Sequence, residues 1–502
     1  MTDKRKAYQV LTMNTLAFTV CFAVWMMNGV LITFLVGNRV YAFDKAEMGW
    51  LIGIPVLTGS IFRLPVGVLT DKYGGRIVFT VIMLITAGAA FLASFADSFW
   101  HFVFAGLGFG LAGTSFAVGI AYTSIWFPSH QQGTALGIFG AGNAGAALTS
   151  MGAPLMLTWL TEGATRLEGW RSLPRLYAAG LLVMAFVFWL LTFSKKVDHG
   201  HELTLRERLA PLKVLQVWRF GLYYFLVFGG FVALAQWLIP YYVNVYTVSV
   251  ATAGFLASIF TLPSGIIRAL GGWLSDKFGA RTVMYWVLGG CAVACFLLVV
   301  PRMDIYAPGE GVMAARPGTV ASVEADAVVV GDQSYALRPE PMMEAFDSRT
   351  LVFPQSRFWQ EAVVSPGDEV QRRELVARGV THIYFQANIW IFTGLAFIVG
   401  ILMGIGKAAV YKHIPTYFPK DVGVVGGIVG VLGGLGGFIC PIVFGYLLRG
   451  TGLWTGCWML FFILAIVCLL WMHVVVRRMM ATHAPHLAQQ IEAPSHGTPV
   501  TP

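Results

Sequence analysis

Apolar residues recur along the chain in runs of about 20, separated by short polar segments. A helix of this length crosses the hydrocarbon core of a membrane, because each residue adds about 1.5 Å. A transmembrane β-barrel would show alternating segments of roughly ten residues instead. The first run is too long for a cleavable signal peptide. The pattern predicts an all-α polytopic membrane protein with twelve helices, at about 11–36, 48–69, 77–96, 99–126, 133–160, 173–193, 220–246, 251–273, 282–300, 385–413, 422–448 and 453–475.

The composition supports this prediction. The 502 residues are 57% apolar and only 12% charged, whereas about a quarter of the residues of a soluble domain are charged. An ordinary soluble protein and a disordered chain are therefore excluded. The cysteines lie in or beside apolar runs, and their spacing fits neither a metal site nor a disulfide framework. We therefore predict that they act as small apolar side chains. They are Cys21, Cys291, Cys295, Cys440, Cys457 and Cys468. No nucleophile–base pair or phosphate loop stands out, so we predict neither an enzyme nor a cofactor.

Lys and Arg are distributed unevenly between the two sides of the predicted membrane. Twelve spans place both termini on one side, which carries 17 Lys and Arg, against 6 in the short loops of the other side. Cytoplasmic loops carry the excess of positive charge. We therefore predict a bacterial inner-membrane protein with both termini, the central loop 194–219 and the tail 476–502 in the cytoplasm. The net charge of +9 then reflects orientation and not nucleic-acid binding.

One long polar segment, 301–384, interrupts the helices. The sequence VASVEADAVVVGDQSYAL (320–337) alternates apolar and polar residues, and AVVSPGDEVQRRELVA (362–377) places a Pro-Gly-Asp turn between apolar runs. Both patterns are typical of strands. The second stretch resembles the turn of a biotinyl/lipoyl-type barrel-sandwich module, although this segment contains no carrier lysine. We predict a small β-rich periplasmic insertion between helices 9 and 10.

The chain also contains an internal repeat. IFRLPVGVLTDKYGGR (61–76) matches IIRALGGWLSDKFGAR (266–281) at an offset of 205, and IWFPSHQQGTALGIFGAGNAG (125–145) resembles TYFPKDVGVVGGIVGVLGGLGG (416–437). Two related six-helix halves are typical of secondary transporters, in which the substrate site lies between the halves near the midplane. The repeat predicts halves at 1–193 and 220–475.

The repeated loop carries a specific resemblance. GVLTDKYGGR (67–76) and GWLSDKFGAR (272–281) resemble the signature loop between helices two and three of the major facilitator superfamily. The resemblance implies the major facilitator fold and transport by alternating access. A tight turn with solvated charges would explain part of the same pattern. The charged positions to which we assign a gating role at the cytoplasmic side are Asp71, Arg76, Asp276 and Arg281.

Away from the ends of the predicted spans, where Arg175 and Lys412 lie, only three charged residues fall inside them: Arg63, Arg268 and Lys407. A charge at membrane depth costs roughly 2.5–3.5 kcal/mol on insertion scales, so a partner is expected. No carboxylate lies in the spans, and the alternative is that each side chain extends to a helix end. Two arginines at equivalent positions favour an anionic substrate as the missing partner. A guanidinium fork suits a planar oxyanion or a carboxylate.

Glycine is concentrated in helices five and eleven. Close helix packing through small residues explains part of this, but the density also indicates a backbone surface open to a small ligand. Asn143 is the polar side chain of the first run, and Gly433 is its counterpart in the second. The glycines are Gly133, Gly137, Gly140, Gly142 and Gly145 in helix five, and Gly423, Gly426, Gly427, Gly430, Gly433, Gly434, Gly436 and Gly437 in helix eleven.

These glycine runs, with an arginine in helices two and eight, resemble the nitrate/nitrite porter family. The resemblance covers nearly the whole chain except 301–384. It implies that Arg63 and Arg268 clamp the anion, with the aromatic side chains in face contact with it; core packing or lipid contact is the alternative for those aromatics. The implied substrate-binding residues are Arg63, Arg268, Asn143, Tyr224, Phe228, Phe116, Gly140 and Gly433.

The leading hypothesis is nitrate transport, with nitrate and protons carried together and Lys407 as the proton-coupling residue. The stretch MGIGKAAVYKHIP (403–415) resembles the nitrate–proton symporter branch of that family. A nitrate/nitrite antiporter is the alternative within the class, and an anion sensor with a partner-binding periplasmic module is the alternative of another class. A helix-end role for Lys407 also stays open. We predict a monomer in the lipid bilayer.

Overall fold

The computed structural model describes residues 3–195, 210–300, 303–340, 355–385, 387–418 and 422–483. Much of the predicted central loop 194–219 and most of the tail 476–502 lie outside these residues. The helices are α1 Asp3–Trp25, α2 Met27–Gly37, α3 Lys45–Ile61, α4 Arg63–Tyr73, α5 Gly75–Ala93, α6 Phe99–Phe109, α7 Ser115–Ser124, α8 Ser129–Gly140, α9 Gly145–Leu160, α10 Ser172–Leu191, α11 Leu215–Tyr224, α12 Gly230–Tyr246, α13 Val250–Ile266, α14 Arg268–Phe278, α15 Ala280–Leu298, α16 Ile389–Tyr417, α17 Val422–Thr451 and α18 Gly456–His483.

Short turns of other helix types join several of these helices. Four are 3₁₀ turns, at Gly110–Thr114, Ala141–Ala144, Leu167–Arg171 and Ala210–Lys213, and the turn at Phe225–Gly229 is π-helical. Within the described residues, nine helices are long and apolar enough to cross a membrane, and two more spans result when α3 with α4 and α13 with α14 are each taken as one bent span. The remaining predicted span is helix five, at 133–160. There the chain is helical in three consecutive segments, α8, a 3₁₀ turn and α9.

The sequence repeat has a structural counterpart. The bounds of α3, α4 and α5 lie 205 positions before those of α13, α14 and α15. Asp44 and Ser249 cap the first helix of each set, because each side chain accepts the backbone N–H three residues further on. Gly74 and Gly279 end α4 and α14 with φ of +86°, a left-handed angle that glycine adopts without strain. The two signature loops therefore have the same backbone conformation.

A bend separates the helices of each pair, by 41° between α3 and α4 and by 47° between α13 and α14. Pro65 lies just after the first bend and has no N–H to donate to the carbonyl of Ile61. Arg63 and Arg268 are the first residues of α4 and α14. The repeat therefore places the two membrane arginines at the same point of two bent spans.

Close helix contacts join the two halves near the ends of α3 and α13 that lie away from the signature loops. At Gly49 of α3 a Cβ atom would collide with the carbonyl oxygen of Pro441 in α17, and at Gly254 of α13 with that of Ser150 in α9. Gly49 and Gly254 are again 205 positions apart. Glycine is required at both positions because the facing backbone leaves no room for a side chain.

Residues 300–392 form a separate compact unit. Its strands are β1 Met303–Met313, β2 Gly318–Val323, β3 Ala327–Val330, β4 Gln333–Ala336, β5 Gln355–Ala362, β6 Glu369–Val370 and β7 Leu375–Phe385. They form two antiparallel sheets, ordered β1-β7-β5 and β4-β3-β2-β6. Val320, Val328, Val376 and Ala377 lie in a small apolar core. The alternating stretch 320–337 therefore contains most of β2 and all of β3 and β4.

Some predicted helix bounds are wrong. Helix ten was expected from residue 385, but Phe385 ends β7, where it pairs with Met303, and α16 begins at Ile389. Helix seven was expected from residue 220 but begins at Leu215 and contains the π-helical turn. The apolar side chains of β7 resemble the start of a span, so periodicity alone does not separate the two elements.

Candidate anion-binding site

Arg63 begins α4 and lies inside the helical bundle, with only 4% of its surface exposed. Its Nη1 donates to the carbonyl oxygen of Gly430 in α17 at 2.8 Å, and its Nε to that of Gly113 at 3.4 Å. Its Nη2 is buried and has no hydrogen-bond partner in the described part of the chain. The burial rules out a side chain that extends to a helix end. Two backbone carbonyls thus fix the guanidinium and leave one nitrogen available for a ligand.

Arg268 occupies the equivalent position in the other half and is only partly buried. Its Nη1 is buried without a partner among the described residues. It contacts the glycine run of α8, since a Cβ atom at Gly140 would lie 3.5 Å from its Cδ. Arg63 therefore contacts α17 of the C-terminal half, and Arg268 contacts α8 of the N-terminal half. Each arginine reaches across the interface to a glycine-rich helix.

Phe116 lies between the two guanidinium groups. Its ring centroid is 5.5 Å from Cζ of Arg63 and 5.3 Å from Cζ of Arg268, so at most about 11 Å separates the two carbons. The ring stacks on Phe228 at 6.4 Å, and Phe228 lies 5.1 Å from Cζ of Arg63. Cation–π contacts of this kind stabilise a buried guanidinium without supplying a negative charge. The aromatic side chains thus form walls around two uncompensated cations.

Tyr224 extends the aromatic wall. It stacks on Phe228 at 5.0 Å and meets the edge of Tyr411 at 4.9 Å. Tyr411 in turn lies 5.6 Å from Cζ of Arg268 and donates its hydroxyl to the carbonyl of Gly426 at 3.1 Å. The hydroxyl of Tyr224 is buried and has no partner in the described residues. The aromatic residues therefore link both arginines through one continuous set of ring contacts.

Asn143 is fully buried in the 3₁₀ turn between α8 and α9, and neither its amide nitrogen nor its amide oxygen has a partner among the described residues. A Cβ atom at Gly265 would lie 3.3 Å from the carbonyl carbon of Asn143, so the turn packs against the helix end before Arg268. A buried polar atom left unpaired costs about 1–3 kcal/mol. An unpaired buried group of this kind calls for a functional explanation, and a ligand that supplies the missing partner is one.

Gly433 has a different role from Gly140 in this structure. A Cβ atom at Gly433 would collide with the ring of Tyr224, whereas Gly140 leaves room at van der Waals distance from Arg268. Gly433 therefore allows Tyr224 to take its place in the aromatic wall.

We expect Gly433→Ala to displace Tyr224 and to raise the KM for the transported anion about tenfold, because the ring must move out of its stack with Phe228. Gly137→Ala is the matched control, since no atom lies within 4 Å of a Cβ there. Initial uptake rates over a range of anion concentrations measure the effect. An unchanged KM in Gly433→Ala would contradict this assignment.

Lys407 of α16 is completely buried. Its Nζ donates to Oγ of Ser264 at 3.2 Å and lies 3.1 Å from the ring centroid of Phe231. Ser264 lies one helical turn before Arg268, and Tyr411 lies one turn after Lys407. The lysine therefore neighbours the anion site, and full burial rules out a side chain that extends to the helix end. No Asp or Glu is buried in the described part of the chain.

Three of the residues assigned to gating contact side chains or backbone of their own halves. Asp276 forms an ion pair with Lys412, and Arg281 donates to the hydroxyl of Tyr417 at 3.1 Å. Arg76 donates to the carbonyl oxygen of Trp189 and lies 4.3 Å from its ring centroid. Asp71 is exposed at the end of α4. These contacts fix the signature loops to neighbouring helices of the same half.

Sequence reasoning missed three features of this site. Tyr411 bridges Tyr224 and Arg268, and Trp25 of α1 lies 5.8 Å from Cζ of Arg63. The third is the π-helical turn of helix seven, which contains Phe228; such turns often occur at functional sites. The spacing of Tyr411 four residues after Lys407 was a usable signal, because the two share a helix face.

The chain was compared with known proteins. Residues 14–315 and 375–502 match the Major Facilitator Superfamily. The probable nitrate/nitrite antiporter NarK1 of Thermus thermophilus is 38% identical over 488 residues, which cover 96% of this chain and 95% of that protein. The nitrite extrusion protein of Bacillus subtilis (strain 168) is 24% identical over 485 residues, with 96% and 98% covered. The crystal structure of a bacterial homolog to the human lysosomal transporter Spinster, inward-facing and occupied, has a TM-score of 0.60 at 14% identity and covers 94% of this chain and 97% of that one.

Fold and site together define a polytopic helical membrane protein of the major facilitator superfamily. Within that superfamily, the chain belongs to the nitrate/nitrite porter family. The prediction that it is not an enzyme is confirmed, since its relatives are transporters. The interval without a match, between residues 315 and 375, lies inside the predicted insertion. No group of three or more metal-ligating side chains occurs in the described residues.

Proposed function

We propose that this protein transports nitrate across the membrane by alternating access. The observation that carries the proposal is the pair of arginines from opposite halves. Among the described residues, each has a buried N–H group without a partner, and no carboxylate is buried. Nitrate is a planar anion, so a guanidinium fork can bind it through two parallel hydrogen bonds. The aromatic rings around Phe116 suit a flat, weakly hydrated ion. The names of the relatives from Thermus thermophilus and Bacillus subtilis support nitrate and nitrite as substrates.

The proposal includes the membrane arrangement predicted from the sequence. Twelve spans cross a bacterial inner membrane, and the helical segment Ser129–Leu160 is the span additional to the eleven apolar ones. Both termini lie in the cytoplasm, and the β-rich unit lies in the periplasm. Glycine and polar residues lower the mean hydropathy of the segment Ser129–Leu160, and Gly140 of this segment lies beside Arg268.

The test is substrate flux into liposomes that contain the purified protein. We expect saturable uptake of ¹⁵N-nitrate that nitrite inhibits, with sulfate and phosphate far less effective because both are tetrahedral and more strongly hydrated. Empty liposomes and protein carrying Arg63→Ala are the controls. Equal inhibition by sulfate would contradict a site for a planar, monovalent anion.

Coupling to protons is the mode that we favour, because Lys407 supplies a titratable group beside the anion site. Exchange of nitrate for nitrite is a second candidate, which the name of the Thermus thermophilus relative supports. The two modes differ in one measurement. Symport requires a proton gradient and no internal anion, whereas exchange requires internal nitrite and is insensitive to the gradient.

Alternating access requires that the glycine contacts between the halves open and close. We expect Gly49→Leu with Gly254→Leu to reduce transport by at least about tenfold, since leucine cannot fit against the facing carbonyls and the closed arrangement becomes inaccessible. A cysteine placed near Pro441 should then react faster with a membrane-impermeant maleimide.

Gly88→Leu with Gly180→Leu is the matched control for this experiment, because no atom lies within 4 Å of a Cβ at either position. Normal flux in the Gly49 and Gly254 double variant, with unchanged labelling, would show that these contacts are not part of the transport cycle.

We expect the β-rich unit to be dispensable for transport. Met303 pairs with Phe385 and Ile305 with Ile383, so the two ends of the unit are neighbouring strands about 5 Å apart. We expect removal of residues 305–380, with a short Gly-Ser linker, to leave nitrate flux within about twofold of the wild type. Loss of flux in a deletion variant that still inserts and elutes as a single species would mean that the unit takes part in gating.

A further inference from the structure

A basic pocket lies at the end of the bundle where α1 begins, and none of the residues that line it belongs to the candidate anion site. It is a cavity of about 590 Å³ between the start of α1, the start of α5, the residues that follow α7 and the residues that follow α10. Its cations are Lys4, Lys6, Arg76 and Lys195, and no carboxylate is among the lining residues. Neither transport of nitrate nor the family assignment explains such a cavity.

Two of the lysines of the basic pocket lie near aromatic rings. Nζ of Lys6 lies 5.6 Å from the ring centroid of Phe193, and Nζ of Lys195 lies 5.0 Å from that of Trp126. Nε of Arg76 and the indole N–H of Trp126 are buried without an acceptor in the described part of the chain. Four positively charged side chains therefore line one cavity. A ligand that completes this site is an oxyanion, which accepts hydrogen bonds from ammonium and guanidinium groups.

The surface beside the basic pocket is apolar. Phe186, Trp189 and Leu190 of α10 are exposed by 66%, 44% and 59%, as expected for side chains that face lipid. Trp189 also lies against Arg76, and Nε2 of Gln9 donates to the carbonyl of Leu191, so this surface leads directly to the pocket. Tryptophan and tyrosine are enriched at this depth, where headgroups meet hydrocarbon.

From this juxtaposition we infer that the basic pocket binds the phosphate headgroup of an anionic glycerophospholipid, with its acyl chains along the apolar surface of α10. Basic pockets between transmembrane helices are the usual sites for such headgroups. A soluble phosphate ester shares the headgroup chemistry but leaves the apolar surface uncovered. The lipid would join α1, α5 and α10 of the N-terminal half at one point.

The test uses the full-length protein in detergent and measures lipid binding by native mass spectrometry and by the shift in thermal unfolding. We expect phosphatidylglycerol to bind at least tenfold more tightly than phosphatidylcholine. Lys6→Gln with Lys195→Gln should lower the affinity for phosphatidylglycerol at least tenfold. Arg5→Gln with Lys213→Gln is the matched control, since it removes the same charge from residues that do not line the pocket and should leave the affinity unchanged.

Three outcomes would overturn the inference. Equal affinity of the Lys6 and Lys195 double variant and the wild type would show that the pocket is not the site. Equal binding of phosphatidylcholine would show that charge is not recognised. An equal rise in the unfolding temperature with glycerol 3-phosphate or inorganic phosphate, at the same concentration as phosphatidylglycerol, would assign the pocket to a soluble anion. If the double variant fails to fold, Lys195→Gln alone serves, because Lys195 is exposed and its loss disturbs no packing.

Discussion

Arg63→Lys and Arg268→Lys are each expected to reduce nitrate uptake by about 100-fold or more, although lysine keeps the positive charge. Lysine cannot form two parallel hydrogen bonds to a planar anion. Arg63 donates to the carbonyl of Gly430 with one nitrogen and has a second nitrogen free for the ligand. Lysine has a single nitrogen and cannot do both. Loss of two charge-assisted hydrogen bonds at about 1.5 kcal/mol each corresponds to roughly 100-fold in affinity.

The measurement is the initial rate of ¹⁵N-nitrate uptake at low external nitrate, with the amount of inserted protein determined for each variant. Arg175→Lys is the matched control. It is the same substitution at an arginine whose Nε donates to the hydroxyl of Ser94, outside the anion site, and it should leave uptake within about twofold. Wild-type affinity in either of the two site variants would remove that arginine from the anion clamp.

The sequence alone is sufficient to identify the two arginines, and the reason is energetic. A charge in an apolar run is costly at membrane depth, so Arg63, Arg268 and Lys407 stand out without any structure. The offset of 205 then relates the first two to each other, and the structure has the same offset in the bends before them. The signature loops predict the superfamily, and the glycine runs predict the family. The comparisons confirm both assignments.

The packing between the halves is not predictable from periodicity. Arg63 reaches Gly430, and Arg268 reaches Gly140, only because the two glycine-rich helices lie against the opposite half. The spacing of Tyr411 from Lys407 places both on one helix face but does not show that Tyr411 meets Tyr224 and Arg268. A π-helical turn leaves no mark in hydrophobic spacing. These features depend on which helices are in contact. A sequence repeat shows that the two halves are related, but it does not show which helix faces pack together.

Lys407 is expected to carry the largest effect on coupling. A protonated Lys407 near Arg268 adds a third positive charge to a site that has no buried carboxylate in the described residues. Charges that lack a counterion are costly in a low-dielectric interior, whereas opposite charges stabilise one another strongly there. In the proposed symport, bound nitrate would therefore favour protonation of Lys407, and a protonated Lys407 would hold nitrate more tightly. This arrangement would couple a proton to an anion without a carboxylate.

Lys407→Met removes the titratable group, and Lys407→Arg keeps a charge that does not titrate in proteins. We expect both to lose accumulation of nitrate driven by a proton gradient, by at least about tenfold, and Lys407→Arg to retain binding of nitrate. Lys213→Met is the control, since it removes an exposed lysine of the turn Ala210–Lys213, outside the candidate anion site.

Uptake into liposomes at fixed internal pH, with the external pH varied, measures the coupling. Gradient-driven accumulation in both Lys407 variants would exclude this residue as the coupling group. A wild type that requires internal nitrite and ignores the gradient would exclude symport itself. In that case Lys407 does not exchange a proton during transport, and exchange is explained because the positively charged site is stable in transit only when it holds an anion in both directions.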